Sequence, residues 1–182
     1  MTVLVTGGAG YIGSHMTYAL LDRGERVVVL DNLTTGNRSQ VSHAATLVEG
    51  DIGDEALLHR VIREHEIDAV IHFAGSIVVP ESVEEPLRYY ANNTVKTRTL
   101  IEACVEEKVK HFVFSSTAAV YGMTGDEPIL ETAKQYLGPF VSRAVDWTPL
   151  DDWSDPFVGY GRPRPPADDV WQFSTFLVRG PA

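Results

Sequence analysis

The feature that most constrains this chain is a run of glycines close to its amino terminus. Val3 to Val5 form a short apolar run typical of a buried strand, and Gly7, Gly10 and Gly13 follow with the spacing G-x-x-G-x-x-G. A helical pattern begins directly after them, and its predicted apolar face holds Ile12, Met16, Ala19 and Leu20. A strand, a glycine turn and a helix in this order present backbone N–H groups at a helix start, where the peptide dipoles favour a diphosphate.

The three glycines are predicted to serve different purposes, namely a tight turn, close approach of a pyrophosphate, and close packing of the helix on the strand. Taken alone, the triplet also fits an ordinary turn between a strand and a helix. An acid at the end of the next apolar run, Asp31 after Val27 to Leu30, favours binding, because a carboxylate there can accept hydrogen bonds from both hydroxyls of an adenosine ribose. The alternative for Asp31 is a solvated acid at a strand end. Because its charge repels a 2′-phosphate and no arginine follows before Arg38, the sequence favours NAD over NADP.

Composition excludes several classes of protein. The net charge of −10 over 182 residues argues against a surface for nucleic acid or for anionic membranes. The single cysteine, Cys104, excludes an internal disulfide and a cysteine-rich metal site, and we expect it to be a small buried residue. Because no apolar run approaches the roughly 18 residues of a membrane span, we expect no signal peptide, no membrane span and a cytoplasmic location.

Five apolar runs predict parallel strands near residues 2–6, 26–31, 45–49, 68–73 and 110–116, with helices between them on both faces. The predicted fold is α/β, a Rossmann-like doubly wound sheet with strand order 3-2-1-4-5 and its site at the carboxyl ends of strands one and four. Asp54 is the predicted N-cap of the helix after strand three. His72 lies inside strand four, where a histidine is more often a satisfied core residue than a catalytic one.

A long helix is predicted from Pro86 to about Lys108, with the proline in its first turn. Its predicted apolar face holds Leu87, Tyr90, Ala91, Thr94, Val95, Ile101, Cys104 and Val105. Asn92 and Asn93 are poor residues for a helix interior, so we expect an inward amide to meet a polar partner.

Beyond about Thr132 the composition changes. Eight of the ten prolines and all three tryptophans lie between residues 128 and 182, and the alternation of strands and helices stops, apart from an apolar run over 173–178. We predict an NAD-binding domain over 1–132 and an irregular tail over 133–182 that is disordered or atypical. Strand five then lacks its expected neighbour, which predicts self-association through its edge unless 173–178 adds as a sixth strand.

Six blocks, TGGAGYIGSH, DNLTTGN, GDI, HFAG, YYANN and SSTAAVYG, resemble in order and spacing the N-terminal half of the UDP-glucose 4-epimerases, in the extended short-chain dehydrogenase/reductase superfamily. The resemblance covers residues 1–132. It implies an isomerase that holds NAD and interconverts UDP-glucose and UDP-galactose through a 4-keto sugar, without a metal. A dehydratase of the superfamily needs an extra acid where Ala118 and Ala119 stand, so the resemblance favours an epimerase.

The resemblance also implies a set of cofactor-binding residues. On the adenosine side these are Tyr11 and Ile12 at the pyrophosphate, Asp31, Asn32, Leu33, Thr34, Thr35 and Gly36 at the ribose, and Asp51 with Ile52 beside the adenine. On the nicotinamide side they are Phe73, Ala74, Gly75, Ser76, Ile77, Asn92 and Ser115. Thr117 matches the residue that hydrogen-bonds the sugar hydroxyl being oxidised.

The catalytic base implied by the resemblance is a tyrosine in a Y-x-x-x-K helix, and the family's spacing leads to Ser142 in this chain. Tyr136 has no lysine after it, and the prolines of YGRPR keep Arg164 from lying one helical turn beyond Tyr160. No base is therefore assigned. The alternatives are an epimerase gene product whose frame or length is broken near Thr132, a non-catalytic NAD-binding or interaction protein, and another nucleotide-sugar epimerase.

Overall fold

A computed structural model describes residues 1–115 and two short strands at 171–172 and 177–178. The first part holds one sheet made of β1 (Thr2–Thr6), β2 (Arg26–Asp31), β3 (Thr46–Glu49), β4 (Ala69–His72) and β5 (His111–Phe114). All its neighbouring strands are parallel, in the order β3-β2-β1-β4-β5. The predicted fold class and strand order are confirmed.

The connections between these strands are mainly helical. They contain α1 (Tyr11–Asp22), a 3₁₀ turn (Arg38–Gln40), α2 (Glu55–Glu64), α3 (Val79–Glu84), α4 (Pro86–Tyr90), a π-helical segment (Ala91–Val95) and α5 (Lys96–Glu106). Asp54 caps α2 as predicted, because its carboxylate accepts a hydrogen bond from the N–H of Leu57 at 2.9 Å. None of the described helices has the length and apolarity needed to cross a bilayer.

Alternate residues of each strand enter two separate cores, one on each face of the sheet. Leu4 of β1 belongs to the core shared with α2 and α5, whereas Val3 and Val5 belong to the core shared with α1. Because both faces are covered, the three inner strands β2, β1 and β4 are buried on both sides and consist of nearly continuous apolar runs, whereas the edge strands β3 and β5 are partly exposed. This arrangement made the strands easy to predict from the sequence.

The predicted apolar face of α1 is wrong in part. The helix buries Gly13, Ser14, Thr17 and Leu20; of the four predicted residues Leu20 is buried and Met16 packs against the core, whereas Ile12 and Ala19 are exposed. The reason is the close approach of the helix to the glycine turn: a Cβ added to Gly13 would lie 2.3 Å from the carbonyl oxygen of Gly7. Only small residues fit there, so the contact face carries few large apolar side chains.

The predicted face of the long helix is also wrong, by about one position. Leu87 is 83% exposed and Val105 is 71% exposed, and the buried residues of α4 and α5 are Tyr89, Leu100, Ala103 and Cys104. The predicted burial of Cys104 is confirmed. The shift is already present in α4, ahead of the π-helical segment, and the inward face next to the site carries the polar residues Asn93 and Thr97.

The second compact unit of the chain comprises residues 116–180, and two short strands of it are described. β6 (Trp171–Gln172) and β7 (Leu177–Val178) pair with each other in an antiparallel sheet. The alternative in which 173–178 adds to the parallel sheet is therefore wrong for residues 177–178. The domain boundary at 132 and self-association through strand five stay predictions.

Candidate functional site

The glycine turn lies between β1 and α1, at the carboxyl edge of the sheet. Gly7 has φ of 71°, and a Cβ added there would lie 2.7 Å from the backbone nitrogen of Ala74 after β4. Gly7 thus allows the turn and the end of β4 to touch, and Gly13 allows α1 to approach the turn. At Gly10 a Cβ would crowd one atom, the carbonyl oxygen of Gly7 at 3.3 Å, so this position is the least crowded of the three glycines.

The first turn of α1 starts at this position. Gly10 is the N-cap residue and, among the described residues, no side chain caps the helix and no acid lies in its first turn. The backbone N–H groups at a helix start have no acceptor within the helix and lie at the positive end of its dipole. The side chains of Tyr11 and Ile12 are exposed. The turn is therefore a place where an anionic group fits.

Asp31 ends β2 beside this turn and is 7% exposed. Its Oδ2 accepts a hydrogen bond from the N–H of Ala9 at 2.9 Å, and its Oδ1 accepts one from the N–H of Leu33 at 2.8 Å. An ionised carboxylate offers about four lone-pair positions, so two backbone donors leave capacity for two more. The carboxylate is thus oriented by the backbone and still able to accept bonds from a pair of hydroxyls.

The loop after Asp31 is held in a defined shape. Leu33 adopts a left-handed φ of 57°, and the side-chain oxygen of Asn32 accepts bonds from the N–H and the hydroxyl of Thr34 at 3.1 and 2.8 Å. The loop returns to the glycine turn, where the N–H of Asn37 donates to the carbonyl of Ala9 at 2.9 Å.

Two further loop residues lie close to this turn. A Cβ added to Gly36 would lie 2.8 Å from the Cβ of Ala9, whereas Thr35 is exposed. Ala9, whose backbone is hydrogen-bonded to Asp31 and Asn37 at the two ends of this loop, was not predicted, because an alanine in a turn carries no sequence signal of this role.

Asp51 follows β3 and accepts three hydrogen bonds. Its Oδ2 accepts from Lys96 Nζ at 2.7 Å and from Asn32 Nδ2 at 3.2 Å, and its Oδ1 accepts from the N–H of Gly53 at 2.8 Å. Burial alone would raise the pKa of Asp51, but the bonds from Lys96, Gly53 and Asn32 outweigh it and hold the pKa below its usual value. The side chain of the neighbouring Ile52 is buried in the core.

The segment after β4 is fixed by two asparagines of the π-helical segment. Asn93 makes two bonds to the backbone of Ser76: its Oδ1 accepts from the N–H at 2.8 Å and its Nδ2 donates to the carbonyl at 2.9 Å. Asn92 Nδ2 donates to the hydroxyl of Ser76 at 3.0 Å. The predicted polar partner of these amides is therefore Ser76. Ile77, the next residue, is 88% exposed.

His72 is a satisfied core residue, as predicted. It is 1% exposed, its Nδ1 lies 2.6 Å from Thr6 Oγ1, and its Nε2 lies 2.9 Å from Thr97 Oγ1. Burial lowers its pKa to about 4, so the ring is neutral near pH 7. A neutral imidazole with both nitrogens engaged has no free position for catalysis.

The predicted cofactor-binding residues within 1–115 therefore lie at or just beyond the carboxyl ends of the strands, except Asn92, which reaches this edge from the π-helical segment. The two sides of the site meet where the N–H of Phe73 donates to the carbonyl of Thr6 at 3.0 Å, and the N–H of Ser115 donates to the carbonyl of His72 at 3.1 Å within the nicotinamide side. Thr117, Tyr136 and Tyr160 fall outside the described residues. The contact of Lys96 with the site, through Asp51, was not predicted from the sequence. Within 1–115, no three acidic, histidine or cysteine side chains are placed to hold a metal ion.

Comparison with known proteins places this geometry in a family. Residues 3–143 match the NAD dependent epimerase/dehydratase family. The UDP-glucose 4-epimerase of Azospirillum brasilense is 58% identical over 131 residues, which are 72% of this chain and 38% of that protein.

Solved structures agree with this comparison. UDP-glucose 4-epimerase from Brucella ovis in complex with NAD is 46% identical with a TM-score of 0.66, covering 74% of this chain and 41% of that one. The enzyme from Bifidobacterium longum in complex with NAD⁺ and UDP is 40% identical with a TM-score of 0.67, covering 74% and 42%. The chain thus spans less than half the length of each of these three relatives. By sequence and by fold, it belongs to the NAD dependent epimerase/dehydratase family.

Proposed function

We propose that this chain binds NAD across the carboxyl edge of its sheet, as the cofactor-binding part of a UDP-glucose 4-epimerase. The observation that carries the proposal is the hydrogen bond from the N–H of Ala9 to Asp31 at 2.9 Å. This bond fixes an open, uncapped helix start and an oriented carboxylate relative to each other. A dinucleotide requires both features together, since one accepts its diphosphate and the other its ribose.

The described residues fit such a ligand. The diphosphate would lie at Gly10, which has no side chain and is the least crowded glycine of the turn, and against the N–H groups of Tyr11 and Ile12. The adenosine ribose would meet Asp31 and the loop 32–36, and the adenine would lie beside Asp51 and the backbone of Ile52. The nicotinamide half would lie along 73–77, which Asn93 holds and to which Asn92 is bonded. Bound NAD supplies a reversible acceptor for hydride.

The proposed substrate is a UDP-hexose. Three of the relatives are named UDP-glucose 4-epimerases, and the structure from Bifidobacterium longum contains UDP as well as NAD⁺. Thr117 would align the sugar hydroxyl that is oxidised, and Ala118 and Ala119 leave no acid there for the elimination of water.

A second candidate function is a non-catalytic NAD-binding protein. The observation that favours it comes from the tyrosines: none of the seven is followed four residues later by a lysine. Without that lysine, a tyrosine has no neighbour one helical turn away to lower its pKa toward neutrality. The two candidates share the NAD site and differ in turnover.

Hydrogen–deuterium exchange of the 182-residue chain with and without NAD tests the site itself. We expect NAD to protect the backbone amides of 8–13 and 31–36, because both segments contact the ligand in the proposed pose. A cavity of about 370 Å³ at the opposite edge of the sheet, lined by residues that include Thr2, Arg26 and His65, is the internal control. Protection confined to that cavity would overturn the proposal.

A further inference from the structure

Lys96 links two parts of the site that are far apart in sequence. It is the first residue of α5, and its Nζ lies 2.7 Å from Oδ2 of Asp51, which follows β3. Both side chains are about one-third exposed, at 33% and 35%. A surface ion pair of this kind contributes only about 0–1 kcal/mol to the stability of the fold. Stability alone therefore gives little explanation for this pair of residues.

The contacts continue from Asp51 to the proposed ribose loop. The same Oδ2 atom accepts a bond from Asn32 Nδ2 at 3.2 Å, and Asn32 directly follows Asp31. Asp51 Oδ1 accepts from the N–H of Gly53 at 2.8 Å. Ammonium, carboxylate and amide therefore form one continuous chain from α5 to the loop that Asp31 begins.

A glycine makes room for the lysine. A Cβ added to Gly53 would lie 3.0 Å from Cγ of Lys96 and 3.1 Å from Oδ1 of Asp51. The stem of the lysine thus passes directly against the backbone of the loop after β3. On the preceding turn, Asn93 holds Ser76 after β4. Residues 93–96 therefore contact the loops on both sides of the site.

Charge gives the lysine a second effect. Asp31 and Asp51 place two carboxylates on the adenosine side of a site that would also receive an anionic diphosphate, on a chain of net charge −10. Lys96 neutralises one of the two at close range. Without it, the bare carboxylate of Asp51 would repel the ligand and leave Asn32 bonded to an uncompensated charge.

We propose that Lys96 is a positioning residue for the adenosine side of the cofactor site, acting through Asp51 on Asn32. The inference rests on the proposed binding of NAD. It concerns recognition of the ADP portion alone, so ADP-ribose is a sufficient probe.

The test is the affinity of the 182-residue chain for ADP-ribose, measured by titration calorimetry. Lys96→Met keeps the length of the stem and removes the charge, and we expect it to weaken binding about tenfold. Lys110→Met is the matched control, because Lys110 makes a comparable 2.8 Å ion pair with Asp68 at the opposite edge of the sheet. We expect the control to leave the affinity unchanged. Lys96→Gln is a second variant in case methionine destabilises the fold.

A double substitution shows whether Lys96 acts through Asp51. In an Asp51→Asn background, we expect Lys96→Met to weaken ADP-ribose binding no further, because the charge that it neutralises is absent. A full additional loss in that background would overturn the inference, as would equal affinity of the unsubstituted chain and Lys96→Met. Failure of the unsubstituted chain to bind ADP-ribose would overturn the proposed function and this inference together.

Discussion

Oδ2 of Asp31 accepts a hydrogen bond from the backbone N–H of Ala9 at 2.9 Å, which joins the end of β2 to the turn after β1. Ala9 follows β1 and Asp31 ends β2, and they meet because the carboxyl ends of these parallel neighbouring strands lie side by side. Both are buried, at 0% and 7% exposure. The proposed contacts for ribose and diphosphate are therefore parts of one rigid corner, and the proposed binding of NAD depends on that corner.

Two glycines of the turn predict opposite outcomes for the same substitution. Gly10→Ala should disturb the fold much less than Gly13→Ala, because Gly10 has φ of −81° and its Cβ would crowd one atom, the carbonyl oxygen of Gly7 at 3.3 Å, which needs to shift by only a few tenths of an ångström. The added methyl group would occupy the approach of the diphosphate, so we expect NAD binding to weaken at least about tenfold. Calorimetric titration of the variant with NAD measures this loss.

Gly13→Ala should instead damage the fold. Its Cβ would lie 2.3 Å from the carbonyl oxygen of Gly7, and the backbone on both sides cannot easily yield. We expect the free energy of unfolding to fall by more than about 2 kcal/mol, measured by denaturant unfolding beside Gly10→Ala as the control. Equal stability of the two variants would contradict the separate roles of these glycines.

His72 predicts a loss of stability at mildly acidic pH. Its pKa is about 4 in the folded protein and near 6.5 in an unfolded chain. Between these values the unfolded state binds the proton and the folded state does not, so stability declines as the pH falls from 6.5 to 4. The expected loss between pH 7 and pH 5 is about 2 kcal/mol from this residue.

Denaturant unfolding at pH 7 and pH 5 measures this loss, and His72→Gln is the comparison. Asp68 and Glu107 do not titrate in this window, because hydrogen bonds from Lys110 and Arg63 lower the pKa of each to about 2. We expect the variant to be less stable at pH 7 and to lose less stability on acidification. An identical pH dependence of the two proteins would show that the buried ring does not control it.

The strands and the binding edge could be predicted because their signals are local. Each strand is a short apolar run, buried in β1, β2 and β4 and partly exposed in β3 and β5, and Asp31 ends β2. Lys96 could not be predicted in the same way, since its partner Asp51 lies 45 positions earlier and neither residue type is unusual at a surface. The fold alone brings the loop after β3 against the start of α5.

The two wrong helix faces share a physical cause. At the site the helices pack through small or polar residues: α1 buries Gly13 and Thr17, and the inward face of the later helix begins with Asn93 and Thr97. Apolar periodicity identifies the face with the largest hydrophobic residues. Where a helix approaches a strand end closely or holds a polar loop, that face points away from the contact.

We predict that the 182-residue chain with NAD does not convert UDP-galactose to UDP-glucose at an appreciable rate. A free tyrosine has a pKa near 10, about 3 units above neutral pH. Without an adjacent lysine, its deprotonation to act as the base therefore costs roughly 4 kcal/mol at pH 7. Product analysis after incubation with UDP-galactose is the measurement. Turnover that disappears in Tyr160→Phe would contradict this prediction and identify YGRPR as the catalytic motif.

The most direct test of NAD binding is a pair of calorimetric titrations of the 182-residue chain, one with NAD and one with NADP. Because the buried carboxylate of Asp31 would face the 2′ position of the ribose, we expect NAD to bind at least about tenfold more tightly. Asp31→Asn should reduce that preference, and Asp22→Asn, which changes an exposed acid at the end of α1, should not. Equal affinities for the two dinucleotides, or no binding of NAD, would contradict the proposed site.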